Sequence, residues 1–242
     1  SDDSRLPPVW SWAGTIQPRK KPESCFMKTN IWLALAMLAC AGSAVALEVQ
    51  ITSRIAQFQV PHGDKVITVL RDQDTGASID PDYALTSRPC PPFCIQPMQA
   101  AEGVATIGDL ELIDFMRTGL ADGSTVLVDA RTPKWHRRGT IPGSINIPFT
   151  HLNPAQGADE ITLEDALALL GVSEKDDGWD FSRAKRVILW CNGPWCGQSP
   201  TAIRGMLSIG YPAQKLFYYR GGMQSWRGLG LPIVNPDGSP LE

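Results

Sequence analysis

The sequence predicts an α/β fold in which a parallel sheet is covered by helices on both faces and is preceded by a small β-hairpin. After Gln99, short apolar runs alternate with amphipathic segments, which is the pattern of strand–helix–strand units. Before it, two β-rich runs within residues 49–70 are separated by the turn-forming residues 61–64 (PHGD). The first pattern indicates parallel strands joined by helices, and the second indicates a hairpin.

The α/β region begins with a helix and a strand. We expect a helix from about Asp109 to Gly119, because Leu110, Ile113 and Met116 recur at helical spacing and define its buried side. The run TVLVDA at 125–130 is uniformly apolar before its aspartate, as in a strand buried on both faces. The two elements form the first helix–strand pair of the sheet.

A second helix and strand follow at greater distance along the chain. We expect the helix to begin at Thr162, since Thr162 and Asp165 approximate a capping box, and to stop at Gly171. Residues 186–190 (RVILW) form the next buried strand.

The last part of the sheet follows the same alternation. Ser199 and Pro200 predict a helix start, because serine favours the N-cap and proline the first helical position. Residues 215–219 (KLFYY) form a strand, and a final helix that carries Trp226 comes after two glycines.

Length and composition are those of one domain with an appendage. The 242 residues are 43% hydrophobic and 19% charged, with a net charge of −3. We divide the chain after its leader into a hairpin and cysteine-containing linker (47–100), the α/β domain (101–235) and a tail (236–242). The sequence has no long lysine and arginine run, which argues against nucleic acid as the main partner, because phosphate binding needs a concentrated cationic surface.

The N-terminal part of the chain is expected to be an export signal. Residues 27–46 combine a lysine, an apolar core and a small-x-small cleavage site at 44–46, which are the three parts of a signal peptide. Residues 1–26 precede it, and we expect them to be non-native or untranslated sequence. The apolar core is short for a bilayer span, so we expect no stable membrane anchor. Cleavage would place a mature protein that starts at Leu47 in the periplasm or outside the cell.

Four cysteines remain in the mature protein, as two close pairs. In an oxidising compartment each pair can form a disulfide. Cys90 and Cys94 lie in a proline-rich segment, and we expect them to form a structural disulfide that holds the linker. Their spacing and that of Cys191 and Cys196 do not match a zinc ribbon, and we expect no metal.

The functional prediction depends on Cys191. It follows the buried strand at 186–190 and leads through a glycine-containing loop into a helix, at the edge where open α/β sheets bind ligands. Free backbone N–H groups and the positive end of a helix lower the pKa of a thiol there and can also hold an anion. The alternative, a buried structural cysteine, does not account for this order of elements. The candidate loop consists of Cys191, Asn192, Gly193, Pro194, Trp195, Cys196, Gly197, Gln198 and Ser199.

Several motifs occur in order along residues 104–234: VDAR at 128–131, GTIPGSINIP at 139–148, the Cys191 loop, YRGGMQSW at 219–226 and GLP at 230–232. In this order they resemble the rhodanese family. The resemblance implies a five-stranded parallel sheet and a sulfurtransferase that uses no cofactor. In such a reaction Cys191 takes a sulfane sulfur from a small donor such as thiosulfate and passes it to a thiol or cyanide acceptor. It also implies that Asp129 and Arg131 brace the site.

The sequence departs from the family pattern at two places. The loop is about two residues longer than usual and has Gln198 where the family has an arginine. The choice of donor is therefore open, because the size and charge of the loop select the anion. Thr140 replaces the usual histidine of its motif. Gly197 stands where related phosphatases and arsenate reductases need an arginine to bind the oxyanion, which disfavours those activities.

Two other functions remain open beside sulfur transfer. One is a thiol–disulfide oxidoreductase or redox sensor that uses Cys191 and Cys196, and the other is a non-catalytic sulfur-binding module on the same fold. Cys196 is either a small apolar residue packed under the loop or a thiol that attacks a persulfide on Cys191. In the second case a periplasmic thiol reductant must reopen the resulting disulfide.

Further residues are assigned to the rim of the site. Trp135 and Trp195 are candidate walls that keep water from a persulfide, with ordinary packing as the alternative. Arg220, just before the two glycines, is either an anion contact or a solvated charge. The same two interpretations, an anion-attracting rim or a solvated loop, apply to a short cationic cluster. It consists of Lys134, His136, Arg137 and Arg138.

Overall fold

The computed structural model describes residues 47–176 and 178–241. The expected leader at 1–26 and the signal peptide at 27–46 lie outside the described residues. Within the described ranges, no helix combines the length and the apolar character that a membrane crossing requires.

The described chain begins with the predicted hairpin. Strands β1 (Gln57–His62) and β2 (Lys65–Leu70) pair antiparallel, with Gln57 opposite Leu70 and His62 opposite Lys65. The turn is shorter than residues 61–64, because Pro61 and His62 belong to β1 and only two residues separate the strands. Gly63 supplies the positive φ, 60°, that such a tight turn needs.

The rest of the described chain alternates helices and strands as predicted. The α/β elements are arranged around one sheet, and a small antiparallel pair, β6 with β7, lies outside it. In chain order the elements are α1 (Pro81–Ala84), β3 (Ala105–Ile107), α2 (Asp109–Gly119), β4 (Thr125–Asp129), α3 (Pro133–His136), β5 (Ser144–Asn146), α4 (Glu160–Leu169), β6 (Ser173–Lys175), β7 (Gly178–Asp180), β8 (Arg186–Trp190), α5 (Gln198–Ser208), β9 (Leu216–Tyr219) and α6 (Gly222–Gly228).

The central sheet has five strands in the order β3-β9-β8-β4-β5, and every neighbouring pair is parallel. The predicted fold class is therefore confirmed. Strand β8 lies in the middle, between β9 and β4, so the residue after Trp190 emerges at the centre of the carboxyl edge. That position is where open α/β sheets bind ligands.

Each face of the sheet has its own apolar core. One core contains side chains of α4 and α5, among them Leu167 and Ile203, packed on Val187 and Leu189 of β8. The other contains side chains of α2 and α6 and also of the hairpin, whose Val60 and Val69 are buried there. The hairpin thus covers part of the sheet rather than extending it, which explains why β1 is buried at every second residue.

Three predicted helix details are wrong. Leu110 is 51% exposed, and Leu112 takes its place on the buried side of α2, since Leu112, Ile113 and Met116 share one helical face. Helix α4 begins at Glu160 rather than Thr162, because the Asp159 side chain accepts a hydrogen bond from the Thr162 N–H at 2.9 Å.

Helix α5 also begins earlier than predicted. Its first residue is Gln198 and its N-cap is Gly197, so Ser199 lies inside the first turn and is not the cap. The fully buried Ser199 side chain is directed to another partner, Cys191. The serine that marked a helix start in the sequence therefore belongs to the site.

Candidate active site

The start of helix α6 holds the loop that begins at Cys191 through two backbone hydrogen bonds. The N–H groups of Met223 and Gln224 donate hydrogen bonds to the carbonyls of Cys191 and Asn192, at 2.9 and 3.0 Å. Gly222 makes this approach feasible: its φ is +54°, and a Cβ atom there would collide with the Cys191 carbonyl oxygen. The GG pair of the sequence motif is thus explained by a close contact between two backbone segments.

The sulfur of Cys191 is buried and surrounded by hydrogen-bonding groups. Ser199 Oγ donates to Cys191 Sγ at 3.1 Å, and the Cys196 carbonyl oxygen lies 3.2 Å from the same sulfur. Burial by itself raises the pKa of Cys191. Hydrogen bonds from the side chains of Cys196 and Ser199 and from the N–H groups of Ser199 and Gly193 outweigh burial and lower that pKa to about 7. The Cys191 thiol therefore ionises more readily than an ordinary cysteine.

Cys196 has the opposite character. It is a free cysteine, 5% exposed, whose Sγ lies 3.7 Å from Gln198 Oε1. Burial, together with the hydrogen bond to Cys191 and the charge of that group, raises the pKa of Cys196 well above its ordinary range. Of the two thiols, Cys191 is the one that loses its proton, and Cys196 retains its own.

A buried ion pair lies behind the loop. Arg131 Nε and Nη2 donate to the two carboxylate oxygens of Asp129 at 2.8 and 2.7 Å, and both side chains are fully buried. Burial alone would raise the pKa of Asp129, but the charge and hydrogen bonds of Arg131 outweigh it and hold that pKa below its ordinary value. The pair is therefore ionised and connects the ends of β4 and β8, through a 3.4 Å contact from Arg131 Nη1 to Asn192 Oδ1.

The same carboxylate receives two more donors. Thr140 Oγ1 and His136 Nδ1 each lie 3.0 Å from Asp129 Oδ2. The role of Thr140, which the sequence did not explain, is thus to complete the hydrogen bonding of a buried charge. His136 belongs to the predicted cationic cluster, and its ring faces the ion pair rather than an anion.

The linker of the sequence analysis lies against the loop. Cys90 and Cys94 form a disulfide with Cα atoms 4.6 Å apart. Beyond it, the Gln96 N–H donates to the Pro194 carbonyl at 2.8 Å. Trp195 packs between Phe93 and Arg88. The ring centres of Trp195 and Phe93 lie 5.6 Å apart, and the Arg88 guanidinium carbon lies 3.7 Å from the Trp195 ring centre.

Arg220 also holds the linker in place. Its Nη2 donates to the Gln96 carbonyl at 2.9 Å, and its Nε lies 3.3 Å from the Pro97 carbonyl. The two interpretations of Arg220 from the sequence were an anion contact and a solvated charge, and neither includes these linker carbonyls, which engage its Nε and Nη2. Arg220 supports the site by fixing the segment that covers it.

The cationic cluster is divided between different partners. Besides His136, Arg138 pairs with Asp82 of α1, and its guanidinium lies 4.9 Å from the ring centre of Trp135. Lys134 and Arg137 are exposed. The cluster is therefore partly a solvated surface and partly a contact between α3 and the linker.

A cavity of about 270 Å³ opens beside the loop and is largely apolar. Of the two candidate walls, Trp135 lines this cavity and Trp195 does not. Cys191 is only 2% exposed and lies behind Asn192 and Cys196, which reach the cavity. The lining residues are Pro92, Phe93, Trp135, Phe149, Asn192, Cys196, Gly197, Gln198 and Thr201.

Sequence reasoning missed the linker's share in this site. Phe93 was part of a segment interpreted only as an irregular connection, although it is an aromatic residue between two cysteines. A loop restrained by two cysteines and carrying an apolar side chain was the feature of the sequence that could have indicated a role for Phe93 in the site. Phe149 and Thr201 carry no local signal, because their contribution depends on where β5 and α5 lie in the fold.

Comparisons with known proteins agree with the motif pattern. The family of rhodanese-like domains matches residues 113–229. An HTH-type transcriptional regulator of Mycobacterium tuberculosis is 30% identical over 119 residues, 49% of this chain and 41% of the regulator. The chain thus spans less than half the length of that curated relative.

Two solved structures are similar to part of this chain. A rhodanese-related protein from Thermoplasma volcanium is 22% identical, and the match covers 54% of this chain and 97% of that protein's chain, with a TM-score of 0.34. A human single-domain sulfurtransferase is 22% identical over 51% of this chain and 95% of its own, with a TM-score of 0.35.

Proposed function

Residues 113–229 of this chain are a rhodanese-like domain, and on that basis we propose that the protein is a sulfurtransferase whose sulfur carrier is Cys191. The domain supports sulfur-transfer or thiol chemistry in general. One observation supports the narrower proposal: the Cys191 pKa of about 7, which hydrogen bonds to the sulfur lower despite its burial. A thiolate is the form that attacks a sulfane sulfur.

The reaction proceeds in two displacements. The Cys191 thiolate attacks the outer sulfur of thiosulfate or a related donor, the donor's S–S bond breaks, and sulfite leaves with the electron pair. The product is a persulfide anion on Cys191. A thiolate or cyanide then attacks the terminal sulfur, the Cys191 thiolate leaves, and an organic persulfide or thiocyanate forms. No external oxidant or reductant is consumed.

The surrounding residues position and stabilise this sulfur. Ser199 Oγ and the Gly193 and Ser199 N–H groups offset the negative charge of the thiolate. The Asp129–Arg131 pair holds the loop through Asn192. These groups transfer no proton to the substrate, and Asp129 and Arg131 act only as positioning residues.

Intact-mass measurement after donor treatment tests the proposal. Wild-type protein should gain the mass of one sulfur atom and lose it again when cyanide is added. Cys191→Ser should gain nothing while its circular dichroism spectrum stays unchanged, because a serine hydroxyl does not form the persulfide. A Cys191→Ser variant that retains most of its thiosulfate:cyanide activity would refute the assignment.

A thiol–disulfide oxidoreductase is the second candidate. It is favoured by the presence of two free, buried thiols, Cys191 and Cys196, in one loop. This function predicts a loss of two hydrogen atoms on oxidation and no uptake of sulfur. A non-catalytic sulfur-binding module would instead keep a stable sulfur adduct that no acceptor removes.

We also propose that the protein works after export. The Cys90–Cys94 disulfide supports this location, because structural disulfides persist in oxidising compartments. N-terminal sequencing of exported protein should return Leu47, and Cys90 and Cys94 should not react with iodoacetamide in the native state. A mature N-terminus at residue 1 or Met27, or two reactive thiols in the linker, would contradict it.

A further inference from the structure

The cavity beside the loop has walls suited to an apolar group. Phe93, Trp135 and Phe149 supply three aromatic rings, and Pro92 a fourth apolar surface. Its volume of about 270 Å³ is at the small end of ligand sites, which bind mainly through apolar walls with a few polar groups. The space fits one ring or a short chain.

The cavity offers little to a highly charged oxyanion. Within the described part of the chain, no lysine or arginine is among its lining residues. Nearby guanidinium groups are engaged with other partners: Arg220 with the linker carbonyls, Arg138 with Asp82, Arg131 with Asp129, and Arg88 with the Asp82 carbonyl and the Trp195 ring. Arg88 Nε is buried and has no hydrogen-bond partner among the described residues. Thiosulfate, a dianion whose charge is shared by three oxygens and the terminal sulfur, is bound best by free cationic side chains.

The wall formed by Phe93 is fixed to the reactive loop. Phe93 lies between the two cysteines of the disulfide and packs on Trp195 of the loop. Three residues further along, the Gln96 N–H binds the Pro194 carbonyl. The linker and the loop therefore form one surface. The cavity reaches Asn192, the residue after Cys191, and Cys196, whose carbonyl oxygen lies 3.2 Å from the Cys191 sulfur.

We propose that this cavity binds the organic part of the sulfur donor, and that the preferred donor carries its terminal sulfane sulfur on an apolar group. This inference rests on the proposed function and names the donor class of the same site. Benzenethiosulfonate is a suitable probe. The Cys191 thiolate attacks its terminal sulfur, the S–S bond breaks, and benzenesulfinate leaves with the electron pair, so that one sulfur is transferred and no redox partner is needed.

The experiment compares three donors with a cyanide acceptor, on full-length protein with its disulfide intact. Benzenethiosulfonate and methanethiosulfonate share the same reacting group and differ in the size of the apolar part, and thiosulfate has no apolar part. The wild type should give the lowest KM with benzenethiosulfonate. Its ratio of kcat/KM for benzenethiosulfonate over methanethiosulfonate should fall about tenfold in Phe93→Ala, as expected for removal of an apolar wall.

Ile95→Ala is the matched control. Ile95 lies on the same segment but is 83% exposed and does not line the cavity, so the donor ratio should not change. Trp135→Ala, on helix α3, is a second wall variant in case Phe93→Ala disturbs the linker. It should lower the same ratio of kcat/KM values.

The outcomes separate this inference from the proposed function. If sulfur loads onto Cys191 but the three donors have equal KM values, or the wall variants leave the kcat/KM ratio unchanged, the proposed donor class is wrong and the sulfurtransferase proposal stands. If no donor loads sulfur onto Cys191, the sulfurtransferase proposal fails, and the donor class fails with it.

Discussion

Ser199 Oγ lies 3.1 Å from Cys191 Sγ and donates a hydrogen bond to it, although the two residues belong to different elements of the chain. The hydroxyl is fully buried, so water does not replace it at the sulfur. Ser199, which the sequence pattern marked as a helix start, is therefore part of the electrostatic environment of the candidate nucleophile. It contributes directly to the lowered pKa of Cys191.

Replacing this serine should weaken the nucleophile at neutral pH. In Ser199→Ala, the thiolate of Cys191 loses a donor, so its pKa rises and the pH profile of alkylation by iodoacetamide moves to higher pH. A hydrogen bond to a charged group contributes about 1.5–3 kcal/mol, and sulfur transfer near pH 7 should fall about tenfold or more.

Ser208→Ala is the control for this change. Ser208 is at the other end of α5, and its hydroxyl donates to the Gly205 carbonyl at 2.7 Å. It should leave the pH profile of Cys191 unchanged. A Ser199→Ala protein with the wild-type profile would show that the backbone N–H groups alone set the pKa.

Cys196 should determine the lifetime of the persulfide if it acts as a resolving thiol. After losing its proton, Cys196 attacks Sγ of Cys191, the persulfide S–S bond breaks, and sulfide leaves, so that two thiols are oxidised to a disulfide and the sulfane sulfur is reduced. Because the pKa of Cys196 is raised, sulfide release should accelerate as the pH increases.

The measurement follows sulfide release and intact mass of persulfide-loaded protein without an acceptor. Cys196→Ala and Cys196→Ser should both keep the persulfide, since neither side chain forms a disulfide. Equal release from wild type and both variants would leave Cys196 with a packing role only. Loss of release would instead require a dithiol reductant in the cell to restore Cys191.

The Asp129–Arg131 pair should contribute strongly to stability. Asp129→Ala leaves Arg131 buried without its carboxylate, which should lower the free energy of unfolding by about 3–5 kcal/mol in urea denaturation. Arg117 and Asp114, 3.5 Å apart on the surface of α2, provide the control pair. Asp114→Ala should cost less than about 1 kcal/mol, because exposed ion pairs are weak.

The pair also has a pH signature. The folded-state pKa of Asp129 is lowered, so its contribution is complete above the ordinary aspartate pKa and is lost as the pH falls toward the folded value. Acid denaturation should therefore show a smaller pH dependence in Asp129→Ala than in the wild type. If the free energy of unfolding depends on pH equally in the two proteins, the lowered pKa of Asp129 is contradicted.

Gly222→Ala should reduce activity in addition to lowering the free energy of unfolding. The new Cβ would collide with the Cys191 carbonyl oxygen, and φ is +54° there. Gly123→Ala is a matched control, because φ is +70° and no atom lies within 4 Å of a Cβ there. Gly123→Ala should cost about 1–2 kcal/mol of unfolding free energy with unchanged activity.

The two glycine variants are distinguished by activity at a temperature where both are folded. Gly222→Ala should lose sulfur loading on Cys191, because the carbonyls of Cys191 and Asn192 can no longer approach α6. Equal activity in Gly222→Ala and Gly123→Ala would mean that the loop does not depend on this contact.

Local patterns in the sequence were sufficient for the fold class and for the place of the nucleophile. Apolar runs such as 186–190 reveal buried parallel strands because every side chain there meets a core. Cys191 follows directly, so its position at the sheet edge needs no long-range information. The Asp129 and Arg131 brace was similarly accessible through the motif resemblance, and the two residues are only two positions apart.

The tertiary structure decided what surrounds the sulfur. Ser199 was predicted as a helix cap, yet its side chain binds Cys191. Arg220 binds carbonyls of the linker from 124 positions away, and Phe93 lines the cavity with residues of α3 and α5. Such contacts depend on the relative placement of elements, which no local periodicity encodes. The sequence therefore identified the candidate nucleophile, whereas only the tertiary structure showed how the linker packs on the loop that carries it.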